Sequence, residues 1–555
     1  MRVRRTFALS GTLHSLGGGA WLSVALLCFA TTLWAQPRIP KDSIPADALP
    51  DVKEAIANLY SPDPEVRGEA AEELGGIGSQ AAPAIPFLVA MLSDGAQIIS
   101  ECCPVSPGER AADALAAIGD AAVPALTAAL VDKDPKVGER AVGALGQIKS
   151  PAATMTLLAA LGNREPAVRR AAASAFEDWP VSGAVDALLP LLKDPDPGVR
   201  RQTAATLGSL GDSRAAEPLI GALKDDSPLV RAAATESLAG LADRRATEPM
   251  LTLLLQDPAP AVRAAAVVAL VGMGDRRARD PLLTAADDLS PEVRKAVIER
   301  MGYSRNKKVS DRLTAALKDE NGGVRAAAAQ YLSYSYDDPV KKKLAMTDTF
   351  IALLKDENRE VRQSAITYLG GVKSARASAA LVGLLHDPDP EIRSALASAL
   401  GSTEDPSAVD ALLALLGDSE PKVRADAAQA LAQFQDERAL NPLIGLLKDT
   451  SIPVRAAAIS ALETMESDAA LGPLLALATD PSAHVRAAAV SALRKYTDAK
   501  ATAAVKAALE DDNQLVRAAA ARGYEYDGWG GYMYGGGRAA YGLGYGGEGG
   551  LWEGE

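Results

Sequence analysis

The polar and apolar positions of this chain repeat in pairs of short helical patterns. Asp418 to Leu431 reads DSEPKVRADAAQAL: Asp-x-x-Pro-x-Val-Arg, then a small-residue run ending in Leu. Val423, Ala427, Ala430 and Leu431 are spaced i, i+4, i+7 and i+8, the stripe of a helix buried along one side. Proline near the helix start and an acidic residue in the preceding turn both favour initiation there. A second apolar run, Ala408 to Leu416, predicts a partner helix before it. Glycine often closes the unit, as at Gly208 and Gly211-Asp212. Valine-arginine or isoleucine-arginine recurs at Arg362, Arg393, Arg424, Arg455, Arg486 and Arg517, each 31 residues after the last. It also occurs at Arg169, Arg200, Arg231, Arg263, Arg294 and Arg325, in steps of 31 or 32. Adding Arg67, Arg110 and Arg140 brings the anchors to fifteen. A fixed period in this range is the mark of a stacked repeat array. The expected fold is all-α: a right-handed α-α superhelix, or solenoid, of about fifteen two-helix units over residues 51–522.

An aspartate stands six residues before most anchors: 134, 194, 225, 257, 288, 319, 356, 387, 418, 449, 480 and 511. Ser61, Pro104 and Asn163 hold that place in the other three units. A turn carboxylate can accept hydrogen bonds from backbone N–H groups and from an arginine of a neighbouring unit. Asp387 with Arg393, Asp418 with Arg424 and Asp449 with Arg455 are therefore read as structural. The unit resembles the HEAT repeat, in particular the short HEAT-like repeat of phycobilin lyases, over about residues 48–522. That resemblance implies an α-solenoid and an inter-repeat aspartate–arginine ladder. It leaves function open, because the family serves many purposes. Stacked layers about 8–10 Å apart would give a curved body with a concave surface lined by second helices. The sixth place after each valine is varied there: Glu236, Glu299, Gln330, Thr367, Ser398, Gln429, Ser460 and Ser491. Those positions are candidates for partner selection.

Composition narrows the picture. Hydrophobic residues make up 48% of the chain and aromatics only 4%, so alanine, leucine and valine must form the core. The formal charge of −13 repels phosphate backbones, which makes nucleic acid an unfavourable partner. Arg2, Arg4 and Arg5 precede an apolar stretch, Ala20 to Ala35, which reads as a signal peptide at 1–35, cleaved after Ala35. The expected location is therefore periplasmic or secreted. A membrane association would come only from an uncleaved signal anchor. Residues 36–50 are proline-rich and read as a linker.

Three interruptions of the period attract attention. Ser93–Gly108 is an insertion with adjacent Cys102 and Cys103, for which a strained vicinal disulfide, an intermolecular bridge or free thiols are open. The step from Arg325 to Arg362 is 37, and the surrounding segment gathers Tyr303, Tyr331, Tyr334, Tyr336 and Tyr368. These five of the seven tyrosines before residue 523 form either an aromatic binding patch or packing beneath the inserted loop. Residues 523–555 contain fourteen glycines and eight tyrosines or tryptophans, and read as a disordered low-complexity tail able to self-associate or attach to a surface.

Catalytic chemistry is sparse. Beyond the signal only His386 and His484 remain, each near a repeat turn. No metal-binding histidine pair, Walker-type glycine loop or plausible triad base is present. The His-Glu pairs of the HEAT-like di-iron deoxyhypusine hydroxylases are missing. No cofactor is expected. The reading is a non-catalytic protein-binding scaffold or adaptor, with bilin-lyase-like or other HEAT-repeat enzyme activity as the first alternative and tail-mediated self-association as the second.

Overall fold

The computed structural model describes residues 39–98, 104–177, 179–302, 304, 306–333 and 340–522. The expected signal peptide, Cys102, Cys103, Tyr303, Tyr334, Tyr336 and residues 523–555 lie outside the described residues. The chain divides into two compact units, Met1–Leu253 and Leu254–Glu555. In each, short first helices alternate with longer second helices. Within each unit, successive second helices pack against one another, and most also pack against their own first helix. Among the described residues there is no strand. An isolated antiparallel bridge joins Ile98 to Val105 across the neck of the first insertion.

The second helix Pro197–Leu210 shows why the sequence folds this way. Pro197 opens it, where a missing N–H costs nothing. The Asp196 side chain accepts from the Val199 N–H as N-cap. Gly211 closes it at φ 67°, a left-handed conformation that glycine adopts without a Cβ clash. Val199, Thr203, Ala204, Thr206 and Leu207 are buried. The equivalent residues of Pro421–Ala432, namely Val423, Ala427, Ala428, Ala430 and Leu431, are buried too. Alanine at the contact lets neighbouring backbones approach closely, which is how a core with few aromatics reaches interior packing density.

The segment expected to be a linker is instead folded onto the first helix. The Tyr60 hydroxyl donates to the Ile39 carbonyl, and Lys53 Nζ donates to the Ala46 carbonyl at 2.7 Å. Lys41 Nζ stands 5.0 Å from the centre of the Tyr60 ring, within cation–π range. Ala48 is buried, and Val52, Ala55, Ile56 and Leu59 are sealed beneath.

Candidate functional site

The most repeated chemistry is a bridge between successive repeats. In the rung between Arg393 and Asp418, Arg393 Nε donates to Asp418 Oδ2 at 2.6 Å and Nη2 to Oδ1 at 2.8 Å. Nη1 turns back to the Asp387 carbonyl in its own turn at 2.8 Å. Asp418 Oδ1 also accepts the Glu420 N–H at 2.9 Å. Each arginine thus ties its own turn to the next repeat, and each aspartate is held by a bidentate guanidinium and a backbone donor. The same pattern joins Arg169 to Asp194 and Arg200 to Asp225 in the first unit. In the second unit it joins Arg263 to Asp288, Arg294 to Asp319, Arg325 to Asp356, Arg424 to Asp449 and Arg486 to Asp511. Arg455 holds Asp480 through one contact of 3.1 Å. The hydrogen bond from Arg393 holds the Asp418 carboxyl below its ordinary range, against the upward push of burial. For Asp449, burial pushes upward more strongly, yet Arg424, the Ser451 N–H and Arg455 together still lower it.

Two anchors were placed off register by the sequence reading. Pro107, Ala111, Ala112, Ala114 and Leu115 occupy the buried stripe of their helix. Val137, Ala141, Val142, Ala144 and Leu145 do so in the next. The residues after Pro107 and Val137 are therefore the anchor places, and they are Gly108 and Gly138, not Arg110 and Arg140. The acids shift accordingly. Asp94, not Pro104, takes the Arg67 rung at 2.7 Å, with both side chains almost wholly buried. Asp132 accepts the Asp134 N–H and so takes the ladder place, while Asp134 accepts the Lys136 N–H as the helix N-cap.

The misplaced Arg140 fills the gap that Gly108 leaves. Its Nη1 donates to the Leu92 and Asp94 carbonyls and its Nη2 to Ser106 Oγ at 2.8 Å. A Cβ on Gly108 would lie 2.4 Å from Arg140 Nη1 and 2.6 Å from the Asp94 carbonyl oxygen. Glycine is required there because another repeat's guanidinium takes the space. Where Gly138 removes the arginine, the acid it would have met is neutral: Asn163 donates its amide to the Leu130 carbonyl at 2.9 Å. Arg110 pairs instead with Glu72 on the surface.

The tyrosine segment is packed where it is described. Tyr368 is buried and stacks on Phe350 with ring centres 3.7 Å apart and planes 5° from parallel. As a binding residue it is corrected, since its faces are covered. Tyr331 is half-buried, and a Cβ on Gly302 would lie 2.3 Å from its ring. Arg362, the next anchor, keeps Nη1 on the Asp356 carbonyl, but its buried Nε has no hydrogen-bond partner among the described residues.

The varied positions of the second helices behave differently. Glu236 is exposed in the first unit. Glu299, Gln330, Thr367, Ser398, Gln429 and Ser460 are exposed in the second, with Ser491 half-buried. Glu299 is engaged by Lys295 at 3.6 Å. Gln429, Ser460 and Ser491 line one shallow groove of about 140 Å³ with Ala456, Ala488 and Glu463. No group of three or more histidine, cysteine, aspartate or glutamate side chains among the described residues could hold a metal. His386 is exposed in its turn.

A second clasp escaped the sequence reading. Asp212 binds Arg214 bidentately, and Arg214 Nη1 reaches back to Asp186 at 2.8 Å. Asp436, Arg438 and Asp410 repeat the arrangement. The signal was present in the Asp-x-Arg spacing after four of the second helices, at Asp212, Asp243, Asp275 and Asp436. These pairs are exposed, so they add little stability.

Two-helix repeats tied by forward Arg–Asp rungs define an α-solenoid. The profile of HEAT repeats matches nine overlapping segments that together run from residue 108 to 525, and the chain belongs to the HEAT-repeat family. The match is to HEAT repeats in general and does not select the phycobilin-lyase type. No curated protein matches the chain in sequence. Solved structures similar in fold include Kap95p in its study with RanGDP, at 15% identity and TM-score 0.59, covering 89% of this chain and 82% of that one. Yeast importin-beta (Kap95p) aligns at 15% identity and TM-score 0.51, covering 81% and 67%. Kap121p aligns at 13% identity and TM-score 0.51, covering 82% of this chain and 57% of its own.

Proposed function

We propose that this chain is a non-catalytic scaffold that binds other proteins through the exposed faces of its second helices. The observation that carries this reading is the contrast within each of those helices. The valine, the anchor and the small residues form a fixed framework, while the sixth place varies and is exposed at seven positions from Glu236 to Ser460. A repeat fold with an invariant frame and a varied face can present different contacts along its length. The likeness to Kap95p, whose study concerns its binding of RanGDP, supports protein partners as a class. The arginine-flanked apolar N-terminus supports action in the cell envelope or outside the cell.

Crosslinking and affinity capture from the envelope fraction tests this. The expected result is one specific protein partner whose recovery falls when Gln429, Ser460 and Glu463 are changed together to lysine. Recovery of the same partner at undiminished yield would remove the second-helix face as the site. Recovery from the cytoplasm alone would overturn the exported location.

A further inference from the structure

The two ends of the described array are finished differently. At the start, residues 39–49 fold back on the first helix and bury its apolar face. At the end, the last helix pair, Ala499–Ala508 and Gln514–Arg522, exposes surface that inner repeats cover. The residue two before the ladder aspartate is 2% exposed at Leu223 and Leu317, 4% at Leu447 and 6% at Leu416, but 46% at Leu509; the inner exception is Leu255, 51% exposed, where the two units divide. Four places after the anchor, Ala397, Ala428 and Val490 are sealed, whereas Ala521 is exposed. One place after it, Ala425 and Ala487 are buried and Ala518 is exposed. Arg517 completes only the backward half of a rung, its Nη1 donating to the Asp511 and Asp512 carbonyls at 2.7 and 2.9 Å. The Nε and Nη2 edge, with which Arg486 grips Asp511, meets no carboxylate among the described residues. An open solenoid end needs a cap with a polar outer face.

We propose that residues 523–555 are that cap: they fold back over the last helix pair, set a carboxylate against Arg517 and lay aromatic rings on Leu509, Ala518 and Ala521. Their composition fits the face. They carry Glu525, Asp527, Glu548, Glu553 and Glu555 against one basic residue, Arg538, and eight tyrosines or tryptophans. Their attachment at Arg522 makes the contact intramolecular, at an effective concentration in the millimolar range. The distance back to Arg517 is less than the length of the nine-residue helix Gln514–Arg522, about 13 Å, which four or five extended residues span. A second copy of the chain would have to meet the same face from dilute solution, so the attached segment is the favoured occupant.

Carbodiimide crosslinking of the full chain, mixed one to one as ¹⁴N and ¹⁵N protein, tests the cap. Lys506 is exposed on the last first helix, and Lys224 is an exposed lysine in the other unit. The expected result is about a tenfold excess of Lys506 over Lys224 in links to Glu548, Glu553 and Glu555, all joining like isotopes. Arg517→Ala with Leu509→Ser should abolish the excess, while amide exchange in Ala483–Leu493 stays unchanged. Equal yields at the two lysines overturn the proposal. So do links that join unlike isotopes, which would show the segment capping a second copy. Loss of exchange protection in Ala483–Leu493 would assign the double variant's effect to unfolding. Glu548→Gln with Glu553→Gln and Glu555→Gln then decides: about fivefold faster exchange in Gln514–Arg522 supports the cap, and unchanged exchange rejects it.

Discussion

The run from Arg393 to Asp511 and the run from Arg67 to Asn163 are built from the same motif, but charge is laid out differently in them. In the later run each arginine reaches forward to the next aspartate, and four rungs follow in sequence. In the earlier run one deeply buried rung, Arg67 to Asp94, is followed by two glycines at anchor places. An arginine from the following helix then reaches back to cover the carbonyls that the first glycine leaves open. The later run distributes its ties, so losing one leaves neighbours to hold the stack. The earlier run concentrates them in Arg67 and Arg140. Buried charge pairs are costly to break because the surviving partner stays desolvated, so the comparison predicts where the array is brittle.

Asp94→Ala should have the largest effect. It strands the Arg67 guanidinium, 2% exposed, at a cost of about 3–5 kcal/mol. Hydrogen exchange should show Pro64–Ile77 and Pro107–Ile118 opening together. Asp418→Ala, in the run of successive rungs, should open only its two neighbouring repeats and by less. Equal losses at the two sites would erase the distinction between concentrated and distributed ties.

Arg140→Ala comes next. It frees two carbonyls and the Ser106 hydroxyl for about 1–3 kcal/mol, and proteolysis within residues 93–107 should accelerate. Gly108→Arg alone should also destabilise, since the new side chain meets Arg140. Together the two changes should recover part of the loss, because the new arginine stands in the regular register facing Asp132. A double-mutant cycle reads this directly. Additive losses would mean that Gly108 and Arg140 do not share one slot.

Acid should separate the regions by a different route. The carboxyls of Asp288, Asp319, Asp356, Asp418 and Asp449 are held below their ordinary range. Hydrogen bonding by arginine leads for Asp418; in the others burial is the larger influence but is outweighed by the arginines and backbone donors. A carboxyl with a lowered folded pKa contributes stability above its unfolded value near 3.9, and that stability is lost as pH falls through the folded value. Melting should therefore be level above about pH 5 and fall below about pH 4. Pepsin should first cut between residues 288 and 449, where these groups are most numerous. First cuts between 67 and 163 would reverse the ranking.

Much of this was legible in the sequence because the period fixes the helix pairs, and the forward ladder follows from the Asp-x-x-Pro-x-Val-Arg spacing. The slip at Gly108 and Gly138 was missed because arginine was tracked instead of the apolar stripe. Counting 31 residues back from Arg169 lands on Gly138, and Asp132-Lys133-Asp134-Pro135-Lys136-Val137 repeats the motif up to that residue. Tyr368 was open to either reading because sequence shows where an aromatic falls along the period, but not that Phe350 comes from the preceding helix to cover it.

The smallest predicted effect lies inside the regular run. Asp426 stands three places after Val423, where other second helices carry Ala327, Ala457 or Ala488. Burial raises its carboxyl above the ordinary range, only partly offset by the Ser394 hydroxyl and by Lys422. The sign is therefore opposite to that of the rungs. A raised folded pKa means that the folded chain holds the proton more tightly than the unfolded one, so stability declines as pH rises through that interval. Asp426→Asn removes the buried charge and keeps an oxygen to accept from Ser394. It should raise the melting temperature at pH 7 by about one or two degrees, with the gain vanishing below about pH 4, where aspartate is protonated in both states. A lower melting temperature at pH 7 would show that Asp426 works as a charge alongside Lys422 and Glu391. The polar contacts between Pro390–Ser402 and Pro421–Ala432 would then be a second set of ties on the same two helices that the Arg393 rung already joins.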